Sequence, residues 1–396
     1  MTSFPTPCDR RRFLAAAAAA AAAGALPDTF AAPRADLELD AFIRARMKSA
    51  RIPGLAVGLA RAGRVTLARG YGLADLAARR PVTPDSMFHI ASVTKPVTAT
   101  TVMQLVERGR LKLDDPVAPL VDFPLAHPRF PDVPITLRHL LTHTSGISDE
   151  RYMEIDFRTR GRDTDMDIAT LVKDCLAPGG KSFVAQKSFG SAAPGRRWDY
   201  SNLGFALLGY AASRAGGADL REQATARVFA PLGMRKVSWT IAGTPEPLRV
   251  TPYELVDDRL VAVEPVGFPD WSAGMLRASV ADFARFLAAA ANSGEAAQGR
   301  IASAATLREM FSLDRPADLA PWLTGQGLGW EGSVLAGRPL IEHWGGDPGV
   351  FTAAYVDPAA RSGVAVFTNS SATTAGRDAV KAIAARLLAH GEGQGA

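Results

Sequence analysis

Apolar residues recur at helical spacing between Asp36 and Ala50, where Leu37, Leu39, Phe42, Ile43 and Met47 form one stripe, and the pattern predicts a helix. The next two apolar runs read differently. Gly54-Leu-Ala-Val-Gly-Leu-Ala-Arg61 and Arg64-Val-Thr-Leu-Ala-Arg-Gly-Tyr71 flank Ala62-Gly63, the pattern of two strands joined by a tight hairpin. At the far end of the chain, Pro339 to His343, Phe351 to Val356 and Gly363 to Thr368 are short apolar runs separated by Gly-Asp-Pro-Gly and Asp357-Pro-Ala-Ala-Arg-Ser-Gly turns. An apolar-striped helix follows over Asp378 to Leu388. Strands at both ends of the chain need partners. The expectation is an α/β (α+β) fold, with an antiparallel sheet of about five or more strands flanked by helices and built from both termini.

Long helical patterns dominate between those ends: Val97 to Arg108, Thr136 to His143 with Thr136 as N-cap, Asn202 to Ala215, and Ser279 to Ala291 opened by a Ser-x-x-Asp capping box. Residues 36–390 are therefore read as one unit. Within it, 36–90 and 275–390 form the α/β part and 91–274 an inserted, mainly helical part.

Composition adds limits. With 396 residues, 47% hydrophobic and 21% charged, the chain is ordinary for a globular protein, and a net charge of +5 without basic-aromatic interleaving gives no support for a nucleic-acid partner. The mixed-sign run Arg158 to Asp167 reads as a solvated loop. Residues 1–32 differ sharply: Arg10-Arg11-Arg12-Phe13-Leu14 leads into an alanine run, the pattern of a twin-arginine export signal cleaved between about residues 25 and 32. Phe13 to Leu26 falls short of the ~20 residues a membrane span needs, so no stable span is expected and the location is periplasmic or secreted. Removal of Cys8 with that segment would leave Cys175 alone, which excludes an internal disulfide and favours a buried, inert thiol.

Four stretches carry candidate chemistry. In Ser92-Val-Thr-Lys95 a primary amine stands one helical turn from a hydroxyl and could take its proton. With 21 Ser and 8 Lys, about 0.4 such matches arise by chance, so the pair needs context. Tyr200-Ser-Asn202 places a phenol and an amide in a turn before a helix; a phenol near ammonium groups can ionise below its free pKa of ~10 and act as a base, while the bland alternative is a helix cap by Asn202. In Ile341-Glu-His343-Trp-Gly345-Gly346-Asp-Pro-Gly349, glycines after a strand allow a substrate to lie close and a backbone N–H to meet a developing oxyanion. Leu140-Leu-Thr-His143-Thr-Ser145-Gly-Ile147 puts His139 and His143 one turn apart without the Glu of a zinc-protease motif, so no metal is expected, and Ser145 reads as a loop residue.

Taken in order, these motifs make the chain resemble the serine β-lactamase-like proteins of the class C type, a family that includes D,D-carboxypeptidases, D-aminopeptidases and carboxylesterases. Ser272-Ala-Gly-Met and Ser279-Val-Ala-Asp share the same flavour. The resemblance implies that Ser92 is acylated, Lys95 activates it, Tyr200 is general base and leaving-group acid, and Asn202 contacts a substrate amide, with His343 and Gly345 at the substrate. The backbone N–H groups of Ser92 and Gly346 would form the oxyanion hole. No cofactor is implied. One departure is informative: His343-Trp-Gly345 stands where β-lactamases of this type carry Lys-Thr-Gly, removing a permanent cation that would meet a substrate carboxylate. The expected substrate is thus a small ester, amide or peptide, with neutral-ester hydrolysis first and D-amino-acid peptide hydrolysis second. β-Lactam hydrolysis, acyl transfer and a non-catalytic peptidoglycan-binding or sensor role stay open.

Overall fold

A computed structural model describes residues 34–390 of the protein. The export-signal reading of residues 1–32, and Cys8 with it, lies outside the described residues. The main sheet has eight strands: β1 (Gly54–Arg61), β2 (Arg64–Asp75), β3 (Arg80–Pro81), β4 (Gly325–Gln326), β5 (Glu331–Leu335), β6 (Arg338–Asp347), β7 (Val350–Asp357) and β8 (Ser362–Thr368). Their order is β4-β5-β6-β7-β8-β1-β2-β3, and every neighbouring pair is antiparallel. The two ends of the chain meet where β1 pairs with β8, Leu55 opposite Thr368 and Arg61 opposite Ser362. Ala62 and Gly63, with φ of 47° and 78°, make the hairpin between β1 and β2; two consecutive positive φ values are what a two-residue turn of matching twist requires.

Of the twelve α-helices among the described residues, six pack around the sheet and the site: α1 (Arg34–Ala50), α2 (Thr94–Glu107), α3 (Leu137–Leu141), α4 (Asn202–Gly216), α5 (Val280–Ala291) and α6 (Thr374–Ala389). Period-two alternation decides which helix covers which face of the sheet. Leu55, Val57 and Leu59 of β1, with Val364 and Val366 of β8, pack against Leu39 and Ile43 of α1 and Val380 and Ile383 of α6. Ala56, Ala365 and Phe367 point the other way, into a larger core with Phe283, Phe286 and Leu287 of α5. Gly58 sits under α5, where a Cβ would come within 3.0 Å of the Ala284 Cβ, so glycine sets the close approach of helix and strand.

Two expectations are corrected here. Ser279 caps α5 by accepting the Asp282 N–H, but the Asp282 carboxylate does not return to close a box; it accepts the N–H groups of Arg235 and Lys236. The run Arg158 to Asp167 is not simply solvated: Asp163 accepts two N–H groups, from Ile241 and Ala242, and Asp167 caps the helix Ile168–Leu176. Cys175 is buried, and desolvation pushes its thiol up to about 12, which leaves it without nucleophilic character. No helix among the described residues is long and apolar enough to cross a membrane.

Candidate active site

The strand Met87–His89 ends in a turn at Ala91, whose φ of 46° is unusual for a residue with a side chain. That turn delivers Ser92 at the mouth of two clefts, with α2 starting two residues later. Lys95, in the first turn of α2, is fully buried. Its Nζ lies 3.1 Å from Ser92 Oγ, 2.8 Å from Asn202 Oδ1 and 2.9 Å from the Ala273 carbonyl oxygen. Two of those partners can only accept. A neutral amine therefore spends its two N–H bonds on Asn202 and Ala273 and turns its lone pair toward the Ser92 hydroxyl. Burial lowers the Lys95 pKa well below its ordinary value, with Asp270, Asp149 and Glu331 opposing in part, so the base form is accessible without strong alkali.

Tyr200 borders the larger cleft together with Ser92, and the centre of its ring lies 4.7 Å from Lys95 Nζ. The direction of its titration differs from the sequence expectation. Burial, followed by the charge of Glu331, raises the phenol well above its ordinary value, so the resting group is a proton donor rather than a phenolate. Proximity to an ammonium was visible in the sequence; the desolvation that outweighs it was not.

His143 is a site residue the motif reading left without a role. Its ring stacks on Tyr200 at 4.3 Å between centroids, its Nδ1 accepts the Ser201 N–H at 3.1 Å, and its carbonyl accepts the Asp199 N–H. It holds φ at 54°, and burial keeps the imidazole neutral. His139 is occupied elsewhere, its Nδ1 accepting the Thr136 N–H in a capping box at the start of α3. The two histidines therefore do separate positioning work.

Asp149 is the second unforeseen residue. Its carboxylate accepts the Ser201 hydroxyl at 2.7 Å and the N–H groups of Asn202 and Leu203 at 2.7 and 3.0 Å, fixing the Tyr200-Ser-Asn202 turn onto the N-terminus of α4. Asp149→Ala would leave those donors unmet in a buried place. We expect a loss of about 1–3 kcal/mol, measured by denaturant or thermal unfolding, with turnover falling further than stability alone explains.

The stretch of β6 beyond Glu342, where its pairing with β5 ends, closes the site. A Cβ on Gly345 would sit 2.3 Å from the Ile90 carbonyl oxygen and 3.0 Å from the Ser92 nitrogen, whereas Gly346 faces open space. Gly346 borders both clefts beside Ser92. His343 is buried, its Nδ1 within 2.8 Å of the Trp344 carbonyl oxygen, and burial with the nearby Lys95 charge pushes it down to about 3. It is neutral at physiological pH. The larger cleft, about 700 Å³, is walled by Trp198, Trp322, Trp344 and Phe351, with the buried carboxyls of Glu331 and Glu342 facing each other across β5 and β6. The smaller, about 180 Å³, extends from Ser92 and Asn202 to Tyr152, Asp270 and Asp347. The arrangement thus joins a hydroxyl, a buried amine, a protonated phenol and an amide at one point. Among the described residues no group of His, Cys, Asp or Glu is clustered to hold a metal ion.

Comparison with known proteins gives a consistent picture. A family model described as Beta-lactamase matches residues 39–389. The chain is 34% identical to Esterase EstB of Burkholderia gladioli over 251 residues, which cover 57% of this chain and 60% of that protein. It is 30% identical to Penicillin-binding protein 4 of Amycolatopsis lactamdurans over 323 residues, 78% of this chain and 77% of that one. Among solved structures, the octameric penicillin-binding protein homologue from Pyrococcus abyssi superposes with a TM-score of 0.70 at 27% identity, over 89% of this chain and 77% of that chain. The D-amino acid amidase from Ochrobactrum anthropi SV3 shares the fold with a TM-score of 0.70 at 23% identity, over 91% and 100% of the two chains.

Proposed function

This chain belongs to the β-lactamase family, and we propose that it hydrolyses small esters or amides through an acyl-enzyme on Ser92. One observation carries the reading: the buried Lys95 amine is held by two acceptors so that its third direction meets the Ser92 hydroxyl. Neutral Lys95 takes the Ser92 proton as Oγ attacks the carbonyl carbon, and the resulting oxyanion meets the N–H groups of Ser92 and Gly346. Tyr200 donates its phenol proton to the departing alkoxide or amine and regains one from the Lys95 ammonium. Water then attacks the ester on Ser92, and its proton returns the side chains to their starting state. Asn202 holds Lys95 and borders the smaller cleft, where the acyl group lies.

Ester hydrolysis is the first choice because no cation stands at residue 343 and aromatic side chains wall much of the large cleft, where Lys381 lies over the Trp344 ring and Arg377 donates to the Ala372 carbonyl. The likeness to an esterase agrees with it. Export through the twin-arginine route is part of the proposal and rests on Arg10-Arg11-Arg12 and the alanine run after them. A fluorophosphonate probe followed by peptide mapping tests the chemistry. A single adduct on Ser92 is expected; an adduct on another serine, or none, removes Ser92 as nucleophile.

The neutral His343 makes a further prediction. A short-chain neutral ester should have a higher kcat/KM than a penicillin, whose carboxylate finds no positive charge at residue 343. His343→Lys is expected to move the ratio toward the penicillin by about tenfold, within the range for a hydrogen bond to a charged group. Steady-state kinetics on both substrates reads it, and a wild-type preference for the penicillin counts against the assignment.

A further inference from the structure

The inference concerns what the acyl group carries, and it rests on the reading of Ser92 as the acylated residue. The 180 Å³ cleft begins at Ser92, Asn202 and Gly346 and runs back to Asp270 and Asp347. Asp270 is 3% exposed, and each of the two carboxyls keeps a buried oxygen, Asp270 Oδ1 and Asp347 Oδ2, without a hydrogen-bond partner. Buried carboxyls with unmet oxygens are costly and call for a donor.

The Tyr152 phenol acts on Asp270 from the wall of the same cleft, yet Asp270 Oδ1 and Asp347 Oδ2 stay unmet, and the charged neighbours are engaged elsewhere. His89 Nε2 is 2.7 Å from the Gly274 carbonyl oxygen and donates to it, and burial holds the ring neutral by pushing it down to about 3. Its Nδ1 then carries a lone pair, and that lone pair faces Asp347 Oδ2 at 3.7 Å. Lys95 is engaged by Ser92, Asn202 and Ala273. Arg277 gives its guanidinium to the carbonyls of Met275 and Val266, and Arg158, at the rim, is paired with Asp156. Burial raises both carboxyls, Asp347 to about 7, and outweighs the opposing charges of Lys95 on Asp270 and of Arg158 and Arg277 on Asp347. An added positive charge would favour their ionised forms; a carboxylate would be repelled.

We propose that this cleft is an ammonium subsite in which Asp270 and Asp347 hold a protonated amine on the acyl group, beside the carbonyl that Ser92 attacks, so that aminoacyl esters and amides are the preferred donors. The small volume limits the group to a short one, while the aromatic cleft across Ser92 takes the leaving group. The assignment gives the neutral His343 and the acidic cleft a common outcome, since both disfavour substrates with a carboxylate.

Alanine methyl ester and methyl isobutyrate test this directly, because the second replaces the ammonium by a methyl group of similar size. The kcat/KM ratio of the two, divided by their ratio for hydroxide-catalysed hydrolysis, is expected to exceed about tenfold for at least one enantiomer of the alanine ester. Asp270→Asn and Asp347→Asn should each reduce that corrected ratio by about tenfold or more. The ratio is the proper readout because Asp270 also acts on Lys95, which serves both esters alike. Thermal unfolding monitors each variant; if one does not fold the other decides, and if neither folds the wild-type ratio decides. A corrected wild-type ratio near one, or a ratio unchanged in both folded variants, overturns the subsite. Hydrolysis of methyl isobutyrate that depends on Ser92 but shows no amine preference overturns only the subsite, whereas no Ser92-dependent hydrolysis of either ester removes the acyl-enzyme reading as well.

Discussion

Ser92→Ala protein is expected to form no covalent adduct and to lose turnover entirely, while Lys95→Met slows acylation by about 10²- to 10⁴-fold, the range for a positioned proton acceptor. The two effects arise differently. Loss of Ser92 removes the atom that is acylated; loss of Lys95 leaves that atom in place but with no group to take its proton. Lys95→Met should stay folded, because two changes oppose each other. Folding depresses the lysine pKa, so the folded state releases a proton that the unfolded chain keeps, and the wild-type residue costs stability at every pH below its unfolded value of ~10.4. Methionine removes that cost, yet it leaves Asn202 Oδ1 and the Ala273 carbonyl without their donor. The same depressed pKa sets the wild-type pH profile: acylation rises with pH as Lys95 loses its proton, and the rise lies well below the ordinary lysine range. Rapid-mixing measurement of acylation, with thermal unfolding of each variant, checks these outcomes. Wild-type turnover in Ser92→Ala, or an unchanged profile in Lys95→Met, would contradict the mechanism.

Much of this site is legible in the sequence because its central groups come in short, local patterns. Ser92 and Lys95 share a helical turn, and Tyr200 and Asn202 share the turn before a helix, so spacing alone brings each pair together. The residues that were missed act across long separations. Asp149 binds a turn about fifty residues away, and Asp270 lies far from Ser92 along the chain, so neither has a neighbour in the sequence to mark it. His143 belongs to the Leu140–Ile147 stretch that carries part of the resemblance and half of a metal pattern, but neither gives it a role, whereas its ring stacks on Tyr200. The sheet shows the same division. Strands β1, β2 and β6 to β8 announce themselves by apolar runs, but β5 opens with Glu331-Gly-Ser333, polar and small residues whose burial no apolar pattern announces. Burial also explains why Tyr200 titrates upward when its neighbouring cation alone would move it down.

Gly345→Ala should be the most damaging single-methyl change in the protein for turnover. The methyl would meet the Ile90 carbonyl oxygen at 2.3 Å, Thr352 Oγ1 at 2.5 Å and the Ser92 nitrogen at 3.0 Å. Two of those atoms are backbone and cannot rotate away. The Ile90 carbonyl is further fixed, because it accepts the Thr352 hydroxyl at 2.7 Å and the Val93 N–H at 3.1 Å. Relief therefore requires β6 and the Ser92 turn to separate, and a displacement of about 1 Å at a reacting centre costs roughly a hundredfold in rate. Gly346 provides the contrast on the same strand. A Cβ there meets nothing within 4 Å, so Gly346→Ala should fold normally and lose less turnover, its methyl entering the cleft rather than the scaffold. We expect kcat/KM for a neutral ester to fall by about 10² or more in Gly345→Ala, together with a lowered Tm, and by a clearly smaller factor in Gly346→Ala. Equal losses in the two variants would mean that the close packing of β6 against Ser92 does not hold the nucleophile in position.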